Sequence, residues 1–140
     1  MKTTFATTHF AVRISSCPDA LIEATGELDL ASVPIFEAAV RELGLAGRGR
    51  VVLDLRRLAF IDAAGLHAVL DLHEKSRNVS ATLTIVPGPR NVQRVFELAG
   101  VEQLVPFSGS GGSEMSPRQR EERNLWPAIT KPSATGRQPR

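Results

Sequence analysis

Hydrophobic and polar positions alternate in two short stretches near the start of the chain, "FAVRISS" (10–16) and "DALIEATGEL" (19–28), and the alternation predicts two strands. Cys17, Pro18 and Asp19 form the turn between them, since proline fixes φ and cannot donate to a ladder. Strands joined so tightly pair antiparallel. The period then changes. In "DLASVPIFEAAVRELGLAG" (29–47), Val33, Phe36, Val40 and Leu43 recur at helical spacing and make one apolar stripe. Ser32 or Asp29 is placed to cap this helix, Pro34 fits its first turn, and Gly44 and Gly47 stop it.

"RVVLDL" (50–55) is apolar throughout except for Asp54 and the leading arginine, the pattern of a strand covered on both faces or lying centrally in a sheet. "AFI" carries the run to residue 61. "AAGLHAVLDLHEKSRN" (63–78) reads as a helix with Leu66, Val69, Leu70 and His73 on one side. "ATLTIV" (81–86) alternates as a strand. "GPRNVQRVFELAG" (88–100) is a helix with Pro89 just inside its start, Gly100 at its end, and a stripe of Val92, Val95, Phe96 and Ala99. "QLVPF" (103–107) closes the pattern as a short strand. The order β-β-α-β-α-β-α-β predicts one mixed α/β domain over residues 1–107, with parallel strands joined by right-handed crossovers.

Beyond Phe107 the periodicity dissolves. "SGSGGSEMSP" is a Gly/Ser linker and "TKPSATGRQPR" offers little that could bury surface, so 108–140 reads as a disordered tail. "RQREERNLWPAI" has the alternative of one or two helical turns anchored by Trp126. Charge divides at the same place. The tail holds five arginines and one lysine against three glutamates, a net +3, while residues 1–107 carry −1. A slightly acidic body is a poor nucleic-acid binder, so no direct nucleic-acid partner is expected. No apolar run approaches the roughly 18 residues of a membrane span, and the N-terminus lacks the apolar core of a signal peptide. These features fit a cytoplasmic protein.

Chemistry concentrates at the junction "FIDAAGLHAVL" (60–70), where a strand meets a helix through an acid, two alanines and a glycine. Asp62 can accept from the free N–H groups of the helix it precedes and complements the positive end of its dipole. Helix N-termini at the carboxyl ends of strands are also where α/β sheets bind ligands. Small residues here mean either that something approaches closely or that a side chain has been removed.

"GELDLAS" (26–32), "VVLDLRRLAFIDAAGL" (51–66) and "VPGPRNVQRVFELAGVEQLVPF" (86–107), in that order on the predicted plan, resemble the STAS domain of bacterial anti-sigma factor antagonists. The resemblance covers about residues 8–107. It implies a protein that binds an anti-sigma factor, often itself a serine kinase, through the junction and so releases a sigma factor. It also implies a switch, phosphorylation of a serine in the motif Asp-Ser-Ser/Thr/Ala-Gly. Here that motif is Asp62-Ala63-Ala64-Gly65, with no hydroxyl at either middle position. The phosphorylation site is therefore degenerate, and the side chain at the junction has been removed rather than never needed.

The resemblance implies a partner-binding set of Asp29, Asp62, Ala63, Ala64, Gly65 and His67, with Asp29 as the loop acid that meets a basic residue of the partner. Each also has a plain structural reading. Asp29 can be a helix cap, Asp62 is a cap in any case, and Asp54 is a buried, hydrogen-bonded acid of the strand. His67 sits at the rim of the docking site, and His73 at the helix surface or core edge. The two lie six apart and share no helical face for a metal. Cys17 is the only cysteine, with no base or redox partner in its turn. "GLAGRGR" (44–50) lies between a helix and a strand, the reverse of a phosphate loop's setting. No metal or cofactor is expected. An enzyme built on Asp54, Asp62 and His67 would lack a nucleophile, so a non-enzymatic interaction module is expected. A STAS accessory module of a transporter or stress-signalling complex is the alternative within the same fold.

Overall fold

The computed structural model describes residues 2–16 and 19–109. Strands β1 (Lys2–Ala6), β2 (Phe10–Ser15), β3 (Ala20–Leu28) and β4 (Arg50–Ile61) and helices α1 (Val33–Leu43) and α2 (Ala63–Asn78) are followed by β5 (Thr82–Val86), α3 (Arg90–Leu98) and a 3₁₀ turn at Glu102–Leu104. The strands lie side by side in chain order. β1–β2 and β2–β3 pair antiparallel, and β3–β4 and β4–β5 pair parallel. The predicted mixed α/β plan is therefore the observed one.

Alternation sets the two faces of this sheet. Phe10, Val12, Ile14, Ala20, Ile22, Ala24, Val51, Leu53, Leu83 and Ile85 are all buried and form the floor of the core. The helices pack against one another in the order α1, α2, α3 and bring Phe36, Leu66, Val69, Val92 and Phe96 onto it. Phe96 meets Phe107 edge to face with ring centroids 5.0 Å apart. The opposite face holds Thr4, Ala11, Arg13, Glu23, Thr25 and Arg57 around an open depression of about 200 Å³. β4 is thus central between β3 and β5 but covered on one face only. Asp54 is 8% exposed, and Arg56 covers it through a 2.8 Å ion pair and its own N–H at 2.9 Å. These bonds hold the Asp54 carboxyl below the usual carboxylate range, against the opposing effect of burial. The structural reading of Asp54 holds.

Several elements differ from the sequence pattern. β1 was not anticipated: its "KTTFA" has only half-buried alternate positions, because it is an edge strand with one neighbour. The closing strand 103–107 is reduced to the 3₁₀ turn and a single parallel bridge from Phe107 to Ile85. Ala99 falls outside α3 and is exposed, and Pro89 is its N-cap rather than an interior residue. His73 is not at the surface. It is 8% exposed, and its Nε2 has no hydrogen-bond partner among the described residues. α2 turns that position fully into the core, so the imidazole fills apolar space. The expected turn at Cys17 and Pro18, and the tail from 110 with Trp126, lie outside the described residues. Among the described residues no helix is long and apolar enough to cross a membrane.

Candidate functional site

The parallel strands β3 and β4 end together, with Leu28 beside Ile61 in the ladder. Each then leads into a helix, β3 through residues 29–32 and β4 through Asp62 alone. Asp62 joins the two exits. Its Oδ1 accepts from the Gly65 N–H at 2.9 Å, which caps α2, and its Oδ2 accepts from the Leu30 N–H at 3.2 Å. Its own N–H donates to the Leu28 carbonyl at 3.3 Å. Both oxygens of this carboxylate are thus engaged internally, so Asp62 shapes the surface more than it offers charge to a ligand.

Gly65 explains why the junction needs a residue without a side chain. A methyl there would overlap the Leu28 carbonyl oxygen and lie 2.8 Å from Ile61 Cγ1. Close approach of the first turn of α2 to the end of β3 is therefore the reason for glycine. The two alanines before it have no such crowding: Ala63 is exposed and Ala64 half-buried. His67 is exposed one turn further on, at i+4 from Ala63 and on the same face.

The β3–α1 turn is a closed unit. Ser32 N–H donates to Asp29 Oδ1 at 3.0 Å, Asp29 N–H donates to Ser32 Oγ at 2.9 Å, and the Ser32 hydroxyl donates to the Glu27 carbonyl at 2.7 Å. The expected side-chain cap of α1 is absent. Ser32 sits at the cap position but makes no cap bond, because its hydroxyl points back into the turn. Asp29 braces the turn instead of the helix and leaves Oδ2 without a hydrogen-bond partner among the described residues.

Asp29, Asp62, Ala63, Ala64, Gly65 and His67 are therefore brought to one end of the sheet, whereas Asp54 lies toward the other end of β4. At about 3.3 Å per residue the two acids are on the order of 25 Å apart along the strand. Sequence reasoning missed two residues at this end. Leu30, in the braced turn, is 75% exposed, and Phe60, just before Asp62, is 46% exposed. An apolar residue inside a polar turn was the available signal for Leu30. A surface that combines exposed apolar side chains, a rigid turn and one free carboxylate oxygen is suited to holding a protein partner.

Comparison with known proteins follows the same lines. A family model described as "Mlab, STAS domain" matches residues 14–106. BtrV of Bordetella bronchiseptica, named as an anti-sigma factor antagonist, is 34% identical over 85 residues, 61% of this chain and 73% of that protein. The fold is shared with an anti-sigma factor antagonist from Mycobacterium paratuberculosis. That likeness has a TM-score of 0.64 at 17% identity and covers 84% of this chain and 96% of the other. It is shared too with the Bacillus anti-sigma factor antagonist SpoIIAA in its unphosphorylated form, with a TM-score of 0.58 at 18% identity, covering 80% and 94%.

Proposed function

Because the chain belongs to the STAS domain family, we propose that it is an anti-sigma factor antagonist whose docking site is the junction of β3, β4 and α2. Its partner is a kinase-like anti-sigma factor, and its binding frees a sigma factor. The observation that carries this reading is the Asp62 carboxylate, which holds Gly65 and Leu30 in one rigid surface while alanines occupy the positions of the family's hydroxyls. SpoIIAA exists in unphosphorylated and phosphorylated forms. Here Ala63 and Ala64 supply no oxygen nucleophile, so the protein stays in the form that binds. Its control lies in its amount or in another input. The module acts without turnover: Asp62 is engaged in the cap, and Asp54 is held by Arg56 far from it.

Affinity capture with the full-length tagged chain is expected to recover an anti-sigma factor. Incubation of that complex with ATP is expected to leave residues 62–66 unmodified by mass spectrometry. Recovery of a permease or stress-complex subunit in its place would favour the accessory-module alternative.

Charge at the alanines tests the site itself. Ala63→Asp and Ala64→Asp place a carboxylate in the first turn of α2, where acids are favourable by about 0.3–1 kcal/mol. The fold should therefore be kept. At an interface the same carboxylate is either repelled or buried unpaired, and a loss of about tenfold or more in affinity is expected. Calorimetry on folded variants measures this, and wild-type affinity in both would move the interface elsewhere.

A further inference from the structure

The most exposed large apolar side chain of the described residues is also among the most firmly posed. Leu30 is 75% exposed, yet its backbone N–H is tied to Asp62 Oδ2 across 32 residues of chain. The turn on either side is closed by the reciprocal Asp29–Ser32 bonds and by Ser32 to Glu27. An exposed leucine on a mobile loop would lose freedom on binding; here the backbone is already fixed, so little ordering remains to oppose association. The two chain segments that build this end of the sheet carry charge of one sign, with Arg41 and Arg57 just beyond them. Between Thr25 and Val40, and between Leu58 and Leu70, the chain carries Glu27, Asp29, Glu37 and Asp62 and no lysine or arginine. Asp29 keeps one oxygen free at the rim.

We propose that Leu30 is the anchor of the docking surface, and that the partner's matching face is an apolar socket rimmed by lysine or arginine. This rests on the reading of the chain as an anti-sigma factor antagonist, and it adds the residue that inserts and the chemistry that receives it. Asp62 acts through Leu30: it poses the turn and does not meet the partner. Leu98 supplies the contrast, since it is 74% exposed on α3, away from the braced turn. Exposure alone would make the two equivalent; the bond to Asp62 and the closed turn separate them.

The test uses the full chain in its own cells with a photo-cross-linking residue, p-benzoylphenylalanine, at position 30 or at position 98. Cross-linked proteins are identified by mass spectrometry, and the recovered partner is titrated with purified variants. The expected result is an anti-sigma factor cross-linked from position 30 and not from 98. Leu30→Ala and Leu30→Asp are then expected to weaken its binding by about tenfold or more, and Leu98→Ala by less than twofold. Thermal midpoints should be unchanged, because a side chain this exposed contributes little to the core. Affinity should fall as salt is raised, as acidic and basic faces require. An anti-sigma factor cross-linked from 98 alone, or bound as tightly by the Leu30 variants, overturns the anchor and leaves the functional reading standing. A different protein cross-linked from 30, and lost in Leu30→Asp, keeps the anchor and overturns the functional reading. Cross-links from neither position overturn both.

Discussion

Gly65→Ala is expected to destabilise the fold by about 3 kcal/mol, in the upper part of the range for overpacking. Helix propensity points the other way, since alanine in place of glycine favours an ordinary helix by about 1 kcal/mol. Space decides the sign. The added methyl would overlap the Leu28 carbonyl oxygen, and Leu28 Cγ and Ile61 Cγ1 close the remaining room at 3.0 and 2.8 Å. That carbonyl belongs to the backbone at the end of β3 and already accepts from the Asp62 N–H, so it has little freedom to swing away. Relief requires the start of α2 to lift from the sheet, which lengthens the Asp62–Gly65 and Asp62–Leu30 bonds together. The variant should therefore lose partner affinity even where it stays folded. Urea denaturation measures the first effect and calorimetry the second. A variant as stable as wild type would show that α2 can retreat at no cost, and the close approach would lose its importance.

Acid should weaken the protein well before its carboxylates protonate. Burial pushes the His73 imidazole down to about pKa 4, from an ordinary value of 6.5, and the charge of Arg77 one turn on adds to the effect. The unfolded chain therefore takes up this proton first as the pH falls. This contribution to stability is fully present above about pH 6.5, declines as the pH falls from there toward 4, and changes no further below the folded value. A difference of this size corresponds to about 3 kcal/mol across the window. His73→Leu replaces the imidazole with an apolar group of similar size and removes the unpaired Nε2. Its urea midpoint should stay nearly flat between pH 7 and 4, while that of wild type falls. Parallel curves for the two proteins would place the acid sensitivity in other groups.

The same two residues show how far the sequence could be read. α2 runs over residues 63–78, the span its pattern predicts, because both the acid that caps it and the apolar spacing are local signals. His73 lies on the stripe that pattern predicts, but its depth depends on how closely the helices pack, and that distance is not written in one element. β1 escaped notice because an edge strand needs hydrogen bonds from one neighbour and little apolar surface. The closing strand failed for the opposite reason. "QLVPF" has the composition of a strand, but only Phe107 reaches the edge of β5. At the site, Asp62 and Gly65 were legible as cap and small residue. The bond from Asp62 to Leu30 was not, since it joins two loops that only the tertiary fold makes neighbours.

That bond has a consequence for the order of events in folding. The proposed docking surface is made of residues 28–32 and 61–67, and the parallel register of β3 and β4 must form before Leu30 and Asp62 can meet. Parallel pairing through a helical crossover is non-local and is closed late relative to hairpins and single helices. The hairpins of β1, β2 and β3 and the isolated helices can hold the local Asp29–Ser32 turn but not the Leu30–Asp62 bond. A chain still emerging from the ribosome before residue 65 has no Gly65 N–H to cap and no first turn of α2 to pose. If the proposed surface is the one that recognises a partner, the bond that poses it is also a mark of completed synthesis and folding.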